Sequence, residues 1–141
     1  MRVVLDTNVV VSAILFGGKP QEILKAALAG DLRLCISEAM VTELQGVLQR
    51  PKFGFKAEII QSVISELTLL AEWVTPKKHL DLVKEDPADN QVIDCAVEAS
   101  ADYIITGDKH LLQLGNCGKV EIANPDAFIK MIASRRRGTG V

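Results

Sequence analysis

The chain lacks any unbroken apolar run near the 18 or so residues that a membrane span needs, and nothing after Met1-Arg2 resembles the apolar stretch of a signal peptide. A cytoplasmic protein is expected. Cysteine is sparse: Cys35, Cys95 and Cys117 are odd in number, far apart and in no CxxC pair, which excludes a disulfide framework and a thiolate zinc site. Cys35 and Cys95 read as core residues. The two histidines, His79 and His110, form no zinc motif, and no Ser-His-Asp or Cys-His arrangement offers a covalent nucleophile. GxGxxG and GxxxxGK[ST] are both missing, and Gly17-Gly18-Lys19 reads as a turn. No excess of one charge exists either. A net charge of −2 excludes a protein that coats nucleic acid by bulk electrostatics. Positive charge is nevertheless grouped, at Arg50, Lys52 and Lys56, at Lys77 and Lys78, and at Arg135, Arg136 and Arg137.

What the chain does have is apolar content. With 141 residues and 48% hydrophobic composition, it suits one globular domain burying roughly two-thirds of its unfolded surface. Apolar runs of strand length alternate with helical patterns, the signature of βα units that build a parallel sheet. Strands are expected at Arg2–Leu5, Leu32–Ile36 and Tyr103–Thr106, with a brief edge strand at 73–76 and a last one at Val120–Ile122, about five in all. Helices are expected at Val9–Leu15, Pro20–Ala29, from the Ser37 cap to about Arg50, over Ala57–Glu72, and from Asp86-Pro87 to about Ser100. Lys77–Glu85 reads as exposed loop. A short helix capped by Asn124 ends the domain near residue 133, leaving 134–141 as a flexible basic tail.

Four acids stand where carboxylates are out of place as surface charge. Asp6 and Asp108 directly follow strands. At about 100° per residue, Glu43 borders the apolar stripe set by Met40, Leu44, Val47 and Leu48, whereas Glu38 points away. Asp89 is centred on the apolar face of its helix, with Asp94 and Glu98 turned outward. Each acid has an ordinary alternative. Asp6 and Asp108 suit helix caps, Glu43 suits a helix boundary, and Asp86-Pro87-Ala88-Asp89 suits a capped start with a second acid in the first turn.

Convergence favours a shared role. In an open parallel sheet, strand carboxyl ends and the helix N-termini after them share one edge, where ligands bind. Asp6, Asp89 and Asp108 belong there; Glu43 joins them only if its helix lies against that edge. Carboxylates about 4 Å apart repel by roughly 4 kcal/mol per pair at an effective dielectric near 20, which a cation must offset. An oxygen-only set suits Mg²⁺ or Mn²⁺.

Val4-Leu5-Asp6-Thr7-Asn8-Val9, Glu43 on the helix after the second strand, Asp86-Pro87-Ala88-Asp89-Asn90 and Ile104-Ile105-Thr106-Gly107-Asp108, in this order, resemble a PIN domain over about residues 2 to 128. The overall form is similar to the compact PIN proteins of the VapC type, toxins of toxin–antitoxin pairs. The resemblance implies a three-layer α/β/α fold around a mostly parallel sheet, Mg²⁺- or Mn²⁺-dependent endoribonuclease activity, an antitoxin partner and a homodimer. By position it makes Asp6, Glu43, Asp89 and Asp108 the catalytic metal ligands, with Asn8 and Thr106 in support and Asp86 as an outer ligand or cap. Asn8 is expected to orient Asp6, and Lys109, beside Asp108, is the nearest candidate for contacting RNA. Competing readings fit less well. A haloacid-dehalogenase-like phosphatase needs an acid where Asn8 stands, and a receiver domain needs paired acids and a strand-end Lys that are missing. A noncatalytic PIN-type module binding RNA or protein remains the alternative.

Overall fold

The computed structural model describes residues 1–80 and 87–139. Its strands are β1 (Arg2–Leu5), β2 (Arg33–Ile36), β3 (Glu72–Trp73), β4 (Tyr103–Ile105), β5 (Asn116–Cys117) and β6 (Val120–Ala123). Its helices are α1 (Thr7–Phe16), α2 (Gly18–Leu28), α3 (Glu38–Leu48), α4 (Ala57–Leu70), α5 (Pro87–Glu98), α6 (Lys109–Leu114) and α7 (Pro125–Thr139), with a 3₁₀ turn at Pro51–Phe53. The strands form one sheet in the order β3-β2-β1-β4-β6-β5. Every neighbouring pair is parallel except β5 and β6.

Both faces of the sheet are covered. Along β1, Val3 and Leu5 enter one apolar cluster with residues of α1, α2, α3, α4 and α7, while Val4 enters the other, with Val92, Ile93 and Ala96 of α5 and Leu111 of α6. The alternation repeats in β2 with Leu34 and Cys35, and in β4 with Ile105 and Ile104. Strands apolar on both faces fit only between two helical layers, so the expected α/β/α architecture is present. No helix among the described residues is long and apolar enough to cross a membrane.

Several expectations need correction. The sheet has six strands rather than five, because Asn116–Cys117 pairs back on Val120 and Glu121 through a tight turn. The edge strand begins earlier than expected, at Glu72, where Cys35 and Ile36 of β2 supply the pairing partners. The last helix runs to Thr139. Asp94, expected to face solvent, is 7% exposed. Its Oδ1 accepts from the Leu80 N–H at 2.7 Å, its Oδ2 lies 3.3 Å from His79 Nδ1, and Glu98 Oε1 accepts from the Lys77 N–H at 2.8 Å. These two acids hold the segment after β3 against α5. Helical angle alone cannot reveal this, because the covering loop comes from elsewhere in the chain.

Burial has a measurable consequence at Cys95, which is fully enclosed in the second cluster. Burial first, then Cys35 and Asp94, push its thiol from an ordinary 9.0 up to about 12. Above pH 9 the unfolded thiol ionises while the folded one stays protonated, so the unfolded chain binds fewer protons and stability falls as pH rises toward 12. The slope from this group is on the order of 1 kcal/mol per pH unit. Urea midpoints measured from pH 8.5 to 11 are expected to decline, and Cys95→Ala to flatten the decline. Parallel declines in the two proteins would refute the assignment.

Strand order reverses at β1, which has β2 on one side and β4 on the other. Crossovers on the two sides therefore diverge and leave a crevice at the carboxyl end of β1 and β4. Helix α3 spans that edge. Ser37 caps it, its Oγ accepting from the Met40 N–H at 3.3 Å. Met40 packs in the second cluster, but Leu44, Val47 and Leu48 pack in the first. The helix thus passes from one face of the sheet to the other, which is the condition that Glu43 requires.

Candidate active site

Asp6 lies one residue past β1, where its N–H continues the ladder by donating to the Ile105 carbonyl at 3.0 Å. Its side chain is buried, 5% exposed. Asp6 occupies the N-cap position of α1 in extended backbone, yet its carboxylate makes no capping hydrogen bond. Its Oδ2 instead accepts from Thr106 Oγ1 at 2.7 Å. The same hydroxyl oxygen accepts from the Asp108 N–H at 2.9 Å. A hydroxyl has one proton to give, so the fully buried Thr106 directs that proton at Asp6 and uses a lone pair on the loop behind. The ends of β1 and β4 are thereby joined through one side chain.

Asp108 behaves differently. Its Oδ1 accepts from the His110 and Leu111 N–H groups at 2.7 and 3.3 Å and caps α6. The ordinary reading of this acid is therefore realised, through one carboxylate oxygen. Glu43, half-buried on α3, accepts from Thr7 Oγ1 at 3.3 Å through Oε2. Thr7 is itself buried beside Asp6, so this bond holds the acid of α3 against the same edge. Asp89 is 3% exposed in the first turn of α5, a helix packed on β1, β2, β4 and α3.

Asp6, Glu43, Asp89 and Asp108 thus all belong to one edge of the sheet. Among the described residues, no three His, Cys, Asp or Glu side chains are grouped as metal ligands. Asn8, expected to orient Asp6, is exposed, and the hydrogen bond on Asp6 Oδ2 comes from Thr106. Lys109 is exposed next to Asp108. Asp86 lies outside the described residues. Thr7 escaped the sequence reading, although its place inside Asp6-Thr7-Asn8 was a usable signal for a partner to one of the acids.

An α/β/α domain with buried acids at the switch point of a parallel sheet defines a class built to handle a ligand at that edge. The sequence matches the family model of the PIN domain over residues 2–110, and the chain belongs to the PIN domain family. Solved structures share the fold. A chain in the structure of VapBC2 from Rickettsia felis bound to a DNA fragment from their promoter has a TM-score of 0.65 and 20% identity, covering 88% of this chain and 98% of that one. For VapBC-1 from nontypeable Haemophilus influenzae the TM-score is 0.60 and the identity 19%, with 89% and 99% covered. For FitAcB from Neisseria gonorrhoeae the values are 0.53 and 21%, with 87% and 97% covered. No curated protein matches the sequence.

Proposed function

We propose that the chain is a divalent-metal-dependent endoribonuclease of the VapC type, restrained by an antitoxin protein. The observation that carries the reading is the burial of Asp6 and Asp89 at the crevice of a PIN-family sheet, with Asp6 held by Thr106 and Glu43 held by Thr7. Buried carboxylates are costly unless something offsets their charge. The donor set fits Mg²⁺ or Mn²⁺, since it consists of carboxylate oxygens with no sulfur or imidazole among them. Asp6, Glu43 and Asp89 would hold the cation, with Asp108 contributing the oxygen its cap leaves over. When bound, such an ion supplies an activated water and neutralises developing charge in phosphodiester hydrolysis.

The chain's own residues then have limited tasks. Thr106 fixes the rotamer of Asp6, Thr7 fixes Glu43, and α3, packed on α5, carries Glu43 to the edge where Asp89 stands. Asp86 keeps the role of outer ligand or cap that the resemblance gives it, Asn8 a supporting one, and Lys109 is assigned to the substrate. A cytoplasmic homodimer bound by its antitoxin completes the proposal, in keeping with the fold shared with the VapBC chains.

Purified protein incubated with labelled RNA is expected to cut it in Mn²⁺ or Mg²⁺ and not in EDTA. Equal cutting in EDTA would sink the mechanism. The second reading is a noncatalytic module. Absence of cutting under every metal condition would select it.

Thr106 offers a finer test. Thr106→Val removes the hydroxyl while keeping the shape, and its effect is expected to resemble loss of a partner that orients a metal ligand, about 10- to 100-fold in rate or metal affinity. Thr106→Ser should restore most of it. Full activity in the valine variant would show that Asp6 needs no such support.

A further inference from the structure

The segment between α3 and α4 has no role in the site described, yet its composition is unusual for a chain of net charge −2. Arg50, Lys52 and Lys56 fall within seven residues containing no acid, and Phe53 and Phe55 lie between them. The three cations are exposed and form no ion pair among the described residues, unlike Arg2, Lys19 and Lys130. Lys52 Nζ stands 5.0 Å from the centroid of the Phe53 ring, which stacks on Phe55 at 5.9 Å with an interplanar angle of 30°.

The segment is also shaped. Pro51 opens a 3₁₀ turn, the Phe53 and Gly54 N–H groups donate to the Arg50 and Pro51 carbonyls at 3.1 Å, and Gly54 sits at φ 63° where a side chain would be strained. Both phenylalanines anchor it on the first apolar cluster. Little ordering remains to be done when a ligand binds.

Position gives this patch a task. Arg50 lies two residues past Leu48, the end of α3, and Glu43 stands five residues before that end, about 8 Å along the helix axis. A polyanion approaching the acids at the sheet edge meets repulsion, so cations near its path are needed to hold it. Exposed cations with half-buried rings match the elements by which single strands are held: phosphate contacts along the backbone, and aromatic faces for unpaired bases.

We infer that Arg50, Lys52 and Lys56, with the Phe53–Phe55 pair, form a binding site for single-stranded RNA flanking the acidic crevice. The inference rests on the nuclease reading for its choice of ligand, but it is tested separately from cleavage. Fluorescence anisotropy of the full chain with a labelled single-stranded oligoribonucleotide, in EDTA so that the RNA stays intact, reads binding alone.

The triple variant Arg50→Ala, Lys52→Ala, Lys56→Ala is expected to bind at least about 10-fold more weakly, with a salt slope shallower by about 2, as three lost phosphate contacts require. A control of equal charge change, Lys19→Ala, Lys25→Ala, Lys130→Ala, should bind like the parent. Phe53→Leu with Phe55→Leu keeps the apolar anchor and should weaken binding at least about fivefold by loss of stacking. Matching thermal midpoints establish that each variant is folded.

Undetectable binding by the parent, or equal losses in the triple variant and its control, would overturn the site. So would equal affinity for a duplex of the same sequence, or unchanged RNA binding in the triple variant, the result expected if the patch serves a protein partner. Selective loss of binding in a chain that never cleaves RNA would uphold the site while removing the nuclease reading. Metal-dependent cleavage with unaltered binding in the triple variant would do the reverse.

Discussion

Asp6→Asn is expected to reduce RNA cleavage at saturating Mn²⁺ by more than about 100-fold, because the proposed function makes Asp6 a ligand to the ion, and a ligand matters more than the outer partners whose loss costs 10- to 100-fold. The change is nearly isosteric. The amide oxygen of asparagine can still accept from Thr106 Oγ1, whose donation to Asp6 at 2.7 Å defines the local geometry, so the fold should persist. The thermal midpoint should therefore move little while metal-dependent cleavage and metal affinity fall together. Cleavage at the parent rate would show that the buried carboxylate serves structure alone. Loss of cleavage accompanied by unfolding would leave the residue's role to metal titration of the correspondingly milder variant, Thr106→Val.

Phe128→Ala is expected to be the most damaging single truncation in the core. The ring is fully buried on α7 and meets Tyr103 of β4 edge-to-face, with centroids 5.2 Å apart and an interplanar angle of 70°. Deleting it removes the transfer energy of an aromatic side chain and leaves a cavity in an interior that relaxes only partly, about 3–5 kcal/mol. Total stability for such a domain is about 5–15 kcal/mol, so a large part would be lost. Urea unfolding should show the midpoint falling with an unchanged slope, and Phe128→Leu should recover most of the difference. A loss below about 1 kcal/mol would mean that α7 contributes little to the fold.

The parts that could be read from sequence were those whose signal is local and repeated. Val3-Val4-Leu5 and Ile104-Ile105 announce strands buried on both faces, and Ser37 announces the start of α3. Asp6 and Asp108 looked alike in sequence, each following a strand and preceding a helix. Only tertiary structure separates them: a threonine just past a distant strand claims Asp6, while Asp108 turns back on its own helix. The same limit applies to Asp94, whose burial depends on the arrival of Leu80. β5 is too short for any periodic pattern to register, and its pairing is set by the turn at Gly118, where φ is 60°. Glu43 was the reverse case. Its angular position suggested a boundary residue, and the path of α3 across the sheet gave that boundary its meaning.

The outermost strands, β3 and β5, are each only two residues long, and Pro76, Lys77 and Lys78 follow closely on β3. A border so brief exposes few amides and carbonyls, and lysines beside it repel a like neighbour. The sheet is therefore blunt at both ends and gives no template for runaway fibre growth. A stable union of this chain with a copy of itself or with another protein is therefore expected to rest on side chains rather than on main-chain pairing at these two borders.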